Sequence, residues 1–442
     1  MLEIKKKAEK FLKSYGMDFQ SIDLEENCEI FLKEMRNGLS GVDSSLKMIP
    51  TYISIEKDTP VQEPVIVMDA GGTNFRVAVV TFDNERRPVI EDFRLYAMPG
   101  TKGRITKDEF FRTIAGYMEP VLGKSNKIGF CFSYPTEILP NGDGRLIQFC
   151  KEVQVEGVEG ELIGENLLKT IKEMGYKEDK KVVMLNDTVA TLLGAKASFP
   201  DRVFDSYIGF ILGTGTNTCY IEENRNIVKL QEIAEKEGSM LVNVESGAYG
   251  KAPMGQIDIS MDLTTVNPGQ YLFEKMIAGG YQGSLMLAVI KRAASEGLFH
   301  GDFAGKIQRL GDLASKDIDD FLNFPYSDQN PLARCCMDSS TQNTNTNCQT
   351  LYHLIDGMME RAARLAAVNL ASVVIKTGKG ADPSLPVCIT AEGTTFYKSK
   401  FVRSKLEAYL KGYLNDEKSL YYEFVKVENA TLIGTAIAGL ML

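Results

Sequence analysis

The order strand, glycine, Thr-Asn, strand occurs twice in this chain, and the repetition restricts its fold more than any other feature. The first copy is VIVMDAGGTNFRVAVVTFDN (Val65 to Asn84) and the second is IGFILGTGTNTCYIEE (Ile208 to Glu223). In each, an apolar β-rich run meets a glycine turn and resumes as a second strand, which is the pattern of a hairpin. The first has strands at Val65–Met68 and Val77–Phe82 and its turn at Gly71–Asn74. Laying Gly72-Thr73-Asn74 on Gly215-Thr216-Asn217 aligns the copies and puts Asp69 opposite Leu212, so the acid belongs to the first alone. A hairpin by itself needs neither that acid nor Arg76 just past the turn. Two such hairpins can face each other across a cleft and grip one polyphosphate through backbone N–H groups and hydroxyls.

The segments between and after the hairpins read as α/β. Helices are expected at Phe110–Leu122, Leu162–Met174 and Thr188–Ala197, with strands at Lys127–Phe132 and Val182–Leu185. Ligands of open α/β sheets lie beyond the carboxyl ends of the strands. Asp69, Ser133, Asp187 and Gly213 each follow an apolar run and should therefore converge. Asp187 also suits the N-cap of the helix after it. Further on, Asn243 and Glu245 lie in LVNVESGAYG, and Glu274 heads an amphipathic helix in NPGQYLFEKMIAGGYQG. VCITAEGTTFYKSK is a strand ending in Glu392-Gly393-Thr394, and ENATLIGTAIAGLML closes the chain as a small-residue helix. The longest helix is expected at Leu351–Lys376. CCMDSSTQNTNTNCQT before it (Cys335 to Thr350) reads as a polar, solvated loop.

Composition removes several classes of function. A chain of 442 residues has room for two or three domains. Its net charge of −9 and the lack of any Lys/Arg-rich run speak against a nucleic-acid partner. No apolar run approaches the ~20 residues of a membrane span. MLEIKKKAEKFLKSYGM reads as a short amphipathic helix and not as a signal peptide. The eight cysteines have no metal-ligand spacing and read as free thiols of a cytoplasmic protein. With only two histidines, His300 and His353, a general base is sought among the carboxylates.

Together these residues resemble the hexokinase/glucokinase family, sugar kinases on the duplicated actin-like (ribonuclease H-like) ATPase fold, with two lobes around a central cleft. The resemblance runs from about Glu63 to the C-terminus. Asp69-Ala70-Gly71-Gly72-Thr73-Asn74-Phe75-Arg76 is similar to the family's first phosphate motif, and FSYPTEILPNGDGRLIQFCK (Phe132 to Lys151) to its sugar loop. NDTVAT (Asn186 to Thr191) resembles the segment with the catalytic aspartate, GTGTNTCYIEE the second phosphate motif, and NVESGAYG with NPGQ the remaining sugar contacts.

The resemblance implies roles for these residues. Asp187 would take the proton from the sugar hydroxyl. Ser133, Tyr134, Lys151, Asn186, Asn217, Glu245 and Glu274 would hold the sugar. The first turn (Asp69, Gly71, Gly72, Thr73, Asn74, Arg76) and the second (Gly213, Thr214, Gly215) would face the phosphates of ATP, with Gly393 and Thr394 bordering the adenosine. Asp69 would hold Mg²⁺ through water. A side chain at Gly215, where the backbone must approach phosphate and a positive φ would favour glycine, should cost nucleotide affinity before sugar affinity.

A neutral sugar offers no charge to grip, so a site of carboxylates, amides and hydroxyls suits it, and phosphoryl transfer asks mainly for positioning plus a base. The expected small lobe is 63–187 with 428–442, and the large lobe 1–62 with 188–427. Departures from the family pattern fall in the sugar loop: Phe149 for Trp, Cys150 and Glu152 flanking Lys151 for Thr and Gly, and Tyr134 for Phe. Elsewhere Ser246 replaces a Trp, Glu392 an Asp, and Ala430-Thr431-Leu432-Ile433-Gly434 a Gly-Ser-Gly-x-Gly. They leave the preferred hexose and the phosphoryl donor open. The expected activity is phosphorylation of glucose or a related hexose at the 6-hydroxyl, feeding glycolysis. The rival readings are an actin- or chaperone-like ATPase switch and a catalytically weak sugar sensor. The sequence leaves open a homodimer.

Overall fold

The computed structural model describes residues 2–55, 59–149 and 153–442. Two sheets repeat one plan. The first contains β1 (Val65–Gly71), β2 (Asn74–Phe82), β3 (Pro88–Ala97), β4 (Lys127–Phe132) and β5 (Lys181–Leu185), in the order β5-β4-β1-β2-β3. The second contains β6 (Ser206–Leu212), β7 (Thr216–Glu223), β8 (Ser239–Asn243), β9 (Val387–Glu392) and β10 (Tyr422–Val425), in the order β10-β9-β6-β7-β8. Ile49–Pro50 adds a short antiparallel partner to β8. In both sheets the first three strands form an antiparallel meander, and the other two join parallel to its first strand. The duplication seen in two hairpins thus extends to ten strands.

Continuous apolar runs such as VIVM form β1 because both faces of its sheet are covered. Alternation sends Val65 and Val67 to one face and Ile66 and Met68 to the other. Ile66 and Met68 pack with Phe110 and Phe111 of the Lys107–Met118 helix and with Leu167 of the Ile163–Glu173 helix. Val65 and Val67 join a core built on the Asp187–Ser198 and Ala430–Leu440 helices, which also reaches Cys219, Leu241 and Cys388 of the second sheet. These two helices therefore lie between the sheets. They cross so closely that a Cβ on Gly434 would stand 1.8 Å from the Ala190 carbonyl oxygen, and one on Gly194 2.4 Å from that of Ala430. The small residues of the last helix serve this crossing.

The expectation of a solvated loop at Cys335–Thr350 is corrected. Pro331–Cys336 is helical, and a 37-residue helix, Thr341–Thr377, begins ten residues before the expected start. Ser340 caps it. Its polar first turns satisfy themselves: Thr346 and Thr350 donate to the carbonyls four residues back, at 2.9 Å each. Asn347 is buried and both accepts from the His300 N–H (2.8 Å) and donates to the His300 carbonyl (3.1 Å). A hydroxyl- and amide-rich run reads as loop only while its partners are unknown. No described helix is long and apolar enough to cross a membrane, and the seven described cysteines are free.

Candidate active site

At the carboxyl ends of β1, β4, β5 and β6 the fold gathers Asp69, Ser133, Asp187 and Gly213. Asp69 is 4 % exposed and accepts from Arg76 Nη1 at 2.6 Å, its cross-strand partner in the hairpin. Ser133 hangs on the same turn: its N–H donates to the Ala70 carbonyl at 2.9 Å. Asn186 caps the helix that starts at Asp187, its Oδ1 accepting from the Thr188 N–H at 2.9 Å. The cap role open to Asp187 is thus filled by its neighbour. Asp187 itself is half-buried and takes the Thr188 N–H at 2.8 Å. Burial first, then the charge of Asp69, holds its carboxyl above the ordinary range, against the pull of Thr188 and Ser133. A carboxylate so placed is a better proton acceptor than one in water.

The second sheet supplies the facing polar set. Asn217 Nδ2 reaches Asn243 Oδ1 (2.8 Å), Glu245 Oε1 (3.3 Å) and, at the end of the first sheet, Asn186 Oδ1 (3.4 Å). Asn243 Nδ2 also donates to Glu245 Oε1 at 2.8 Å. Glu245 sits at φ 57°, a left-handed conformation uncommon for a residue with a side chain, and this bend follows β8 directly. Burial raises its pKa, while the two asparagine amides lower it. Asn243, noted from sequence within LVNVESGAYG but given no role of its own, is bonded to both Asn217 and Glu245. Its position at the carboxyl end of an apolar strand was the signal for such a role.

Glu274, at the head of the Leu272–Ile277 helix, accepts the Thr216 N–H at 3.0 Å. Burial pushes its pKa up to about 7. Between about 4.5 and about 7 the folded chain therefore keeps a proton that the unfolded chain has released, so stability falls as pH rises through that window. The unliganded protein is expected to lose on the order of 2 kcal/mol across it from this group. Glu274→Gln should flatten the slope, as read from urea unfolding midpoints at the two ends of the window.

The two glycine turns are held differently. In the second, Gly213 N–H closes on the Gly215 carbonyl (2.9 Å), and the Gly213 carbonyl accepts from Gly279 N–H (2.8 Å) and Thr395 Oγ1 (2.9 Å). The Thr214 carbonyl accepts from Gly280 N–H at 3.0 Å. Gly279, Gly280 and Thr395 were missed from sequence, although the glycine pair stands at the start of the Gly279–Ser295 helix. Gly393 lies against this turn: a Cβ on Gly213 would be 3.3 Å from the Gly393 Cα. Thr394 follows it as the first residue of a short helix. Gly71 and Asn74 close the first turn as a cross-strand pair, leaving Gly72 and Thr73 as its exposed tip. Arg76 and Lys426 lower the pKa of Glu392, which burial raises, so the arginine of the first hairpin reaches towards the strand end that precedes Gly393.

Tyr134 lines the same recess as Asn186, Asn243 and Glu245. It is 3 % exposed, and its hydroxyl donates to the Gly72 carbonyl at 3.1 Å. A cavity of about 20 Å³ lies between its ring, Met184 and Val189 and the polar atoms of Asn186, Asn243 and Glu245. That holds a water but no sugar ring. Lys151 lies outside the described residues. Gly215 is not among the positive-φ glycines, whereas Gly72 is, at 55°. The conformational reason expected at Gly215 therefore applies to the first turn.

The pattern of the Hexokinase family matches residues 7–197 and, in its second part, residues 207–441. The chain belongs to the hexokinase family. Hexokinase-2 of Equus caballus is 31 % identical over 414 residues, covering 89 % of this chain and 44 % of its own length. Hexokinase-5 of Oryza sativa subsp. japonica is 28 % identical over 433 residues, 92 % of this chain and 84 % of its own. The chain spans about half the length of the mammalian hexokinases it matches. The solved structure of a hexokinase from Schistosoma mansoni, described as complexed with glucose, superposes with a TM-score of 0.81 at 25 % identity, covering 100 % of this chain and 99 % of that one. A second hexokinase structure superposes with a TM-score of 0.75 at 22 % identity. The fold is the two-lobe actin-like ATPase fold of these hexokinases.

Proposed function

We propose that this chain transfers the γ-phosphoryl group of ATP to the 6-hydroxyl of glucose or a close relative. The observation that carries the reading is the meeting of Asp187 with Asn186, Asn217, Asn243, Glu245 and Glu274 beside two glycine turns from two sheets. Glucose in the Schistosoma mansoni structure supports the choice of hexose.

Asp187 accepts the hydroxyl proton, its basicity raised by burial and by Asp69. Carboxylates whose partners occupy one oxygen, as two asparagine amides do at Glu245 and one N–H at Glu274, keep acceptor capacity for sugar hydroxyls. Ser133 and Lys151 complete the sugar set in this reading. The turns at Gly71–Asn74 and Gly213–Gly215 cradle phosphate with backbone N–H groups, Arg76 supplies positive charge, and Gly393 with Thr394 borders the adenosine.

The charge of Asp69 raises the proton affinity of Asp187, and the two carboxylates are an oxygen donor set that fits a hard cation such as Mg²⁺. Among the described residues no group of three or more protein ligands forms a metal cage, so the ion would share its shell with water and phosphate oxygens. Bound through water to Asp69, Mg²⁺ would neutralise charge on the phosphates.

In this reading the small lobe is 63–187 with 428–442 and the large lobe 1–62 with 188–427, the Asp187–Ser198 and Ala430–Leu440 helices forming the packed layer between them. A cytoplasmic site of action fits the free thiols.

The deciding experiment is ADP release measured with ATP and a panel of hexoses. Sugar-dependent turnover, highest with glucose, is expected. Turnover indifferent to sugar would indicate an ATPase switch, and sugar binding without turnover a sensor. Saturating glucose alone is also expected to reduce the radius of gyration in small-angle scattering, because a sugar held by both lobes favours the closed state.

A further inference from the structure

We propose that the Tyr134 hydroxyl is a positioning group that fixes the direction in which the first glycine turn presents its backbone to phosphate. The inference rests on the phosphoryl-transfer reading above and deepens it at one atom. Gly72 is at φ 55° while Thr73 is not at positive φ, and the turn between Gly71 and Asn74 has two residues. Those features define a type II′ turn and not a type I′. The two types differ by a rotation of the central peptide, here Gly72–Thr73.

Tyr134 controls that peptide. Its ring is fixed between Phe132 and Phe149, with centroids 4.9 Å and 5.2 Å away, and its hydroxyl donates to the Gly72 carbonyl at 3.1 Å. In a trans peptide the C=O and N–H point in opposite directions. Holding the Gly72 oxygen on a buried phenol therefore turns the Thr73 N–H away from the buried side, where an anion can meet it. Rotation to the type I′ form would turn the carbonyl outward, presenting an acceptor to phosphate where a donor is needed.

The second turn provides an internal comparison. There the same task falls to backbone and threonine: Gly279 N–H and Thr395 Oγ1 hold the Gly213 carbonyl, and Gly280 N–H holds that of Thr214. In the first turn Met98 N–H holds the Thr73 carbonyl at 2.9 Å, and the tyrosine takes the Gly72 carbonyl. Thr73, being β-branched, also resists the positive φ of a type I′ turn. The hydroxyl is the second restraint on the same peptide. It links the sugar loop, which carries Ser133 and Tyr134, to the phosphate turn.

Tyr134→Phe in the full chain removes one oxygen and leaves the ring. The expected result is a roughly 3–10-fold fall in kcat/KM for ATP, the size of one hydrogen bond. The affinity for AMP-PNP by calorimetry should weaken by a similar factor, and glucose affinity without nucleotide should stay within about twofold. Tyr134→Leu, which also removes the ring packing, should weaken glucose binding as well. Unchanged nucleotide affinity in Tyr134→Phe, or equal loss for glucose and nucleotide, would overturn the proposal. A wild-type chain that binds AMP-PNP yet phosphorylates no sugar would defeat the kinase reading, and the AMP-PNP comparison would still decide the role of the hydroxyl.

Discussion

Asp187→Asn is expected to lower kcat by ~10²–10⁴ while ATP and glucose still bind. The asparagine keeps an oxygen for the Thr188 N–H, now bonded to Asp187 Oδ1 at 2.8 Å, so the start of the helix should survive. It also removes a charge that Asp69 opposes. The protein should therefore be no less stable, which separates loss of a base from loss of a fold. Steady-state kinetics, thermal unfolding and calorimetry on one preparation check this. A near-normal kcat would mean that a carboxylate elsewhere takes the proton. On the wild type, the raised pKa of Asp187 predicts that the acid limb of kcat lies above the ordinary aspartate range, because the base works only when ionised.

The second large effect is at Gly215. A Cβ there would lie 2.6 Å from Glu274 Oε2, the oxygen that accepts the Thr216 N–H. Gly215→Val leaves backbone conformation tolerable, since the residue is not at positive φ. It drives the Glu274 carboxylate off its place. Losing a charged hydrogen-bonding group from the proposed sugar site should weaken glucose binding roughly 10–100-fold. Nucleotide affinity should fall less. That order reverses the one expected from sequence, where the glycine was assigned to phosphate alone. Parallel titrations with glucose and AMP-PNP decide it, and a larger loss for the nucleotide would detach Glu274 from the sugar.

Much of this arrangement was legible in the chain because the signals are local. A glycine turn between apolar runs is a hairpin whatever surrounds it, and finding it twice implied two similar sheets. A polar residue directly after a strand had to lie at a carboxyl end, so Asp69, Ser133, Asp187 and Gly213 could be brought together from alternation and punctuation alone. Family resemblance added the roles.

Other features depend on partners distant in sequence. Cys335–Thr350 looks like loop until Asn347 meets His300 and the threonines turn back on their own helix. Nothing near Gly215 in the chain tells that Glu274, far along it, occupies the space beside the glycine. That the Tyr134 hydroxyl meets the Gly72 carbonyl could not be read from the chain. That Asn186, and not Asp187, caps the helix became visible only with the start of that helix. Sequence periodicity decides which face of a strand or helix is buried, because that depends on neighbours two to four residues away. Which carbonyl, amide or carboxylate a side chain meets depends on chains brought together by folding, and that only the tertiary structure decided.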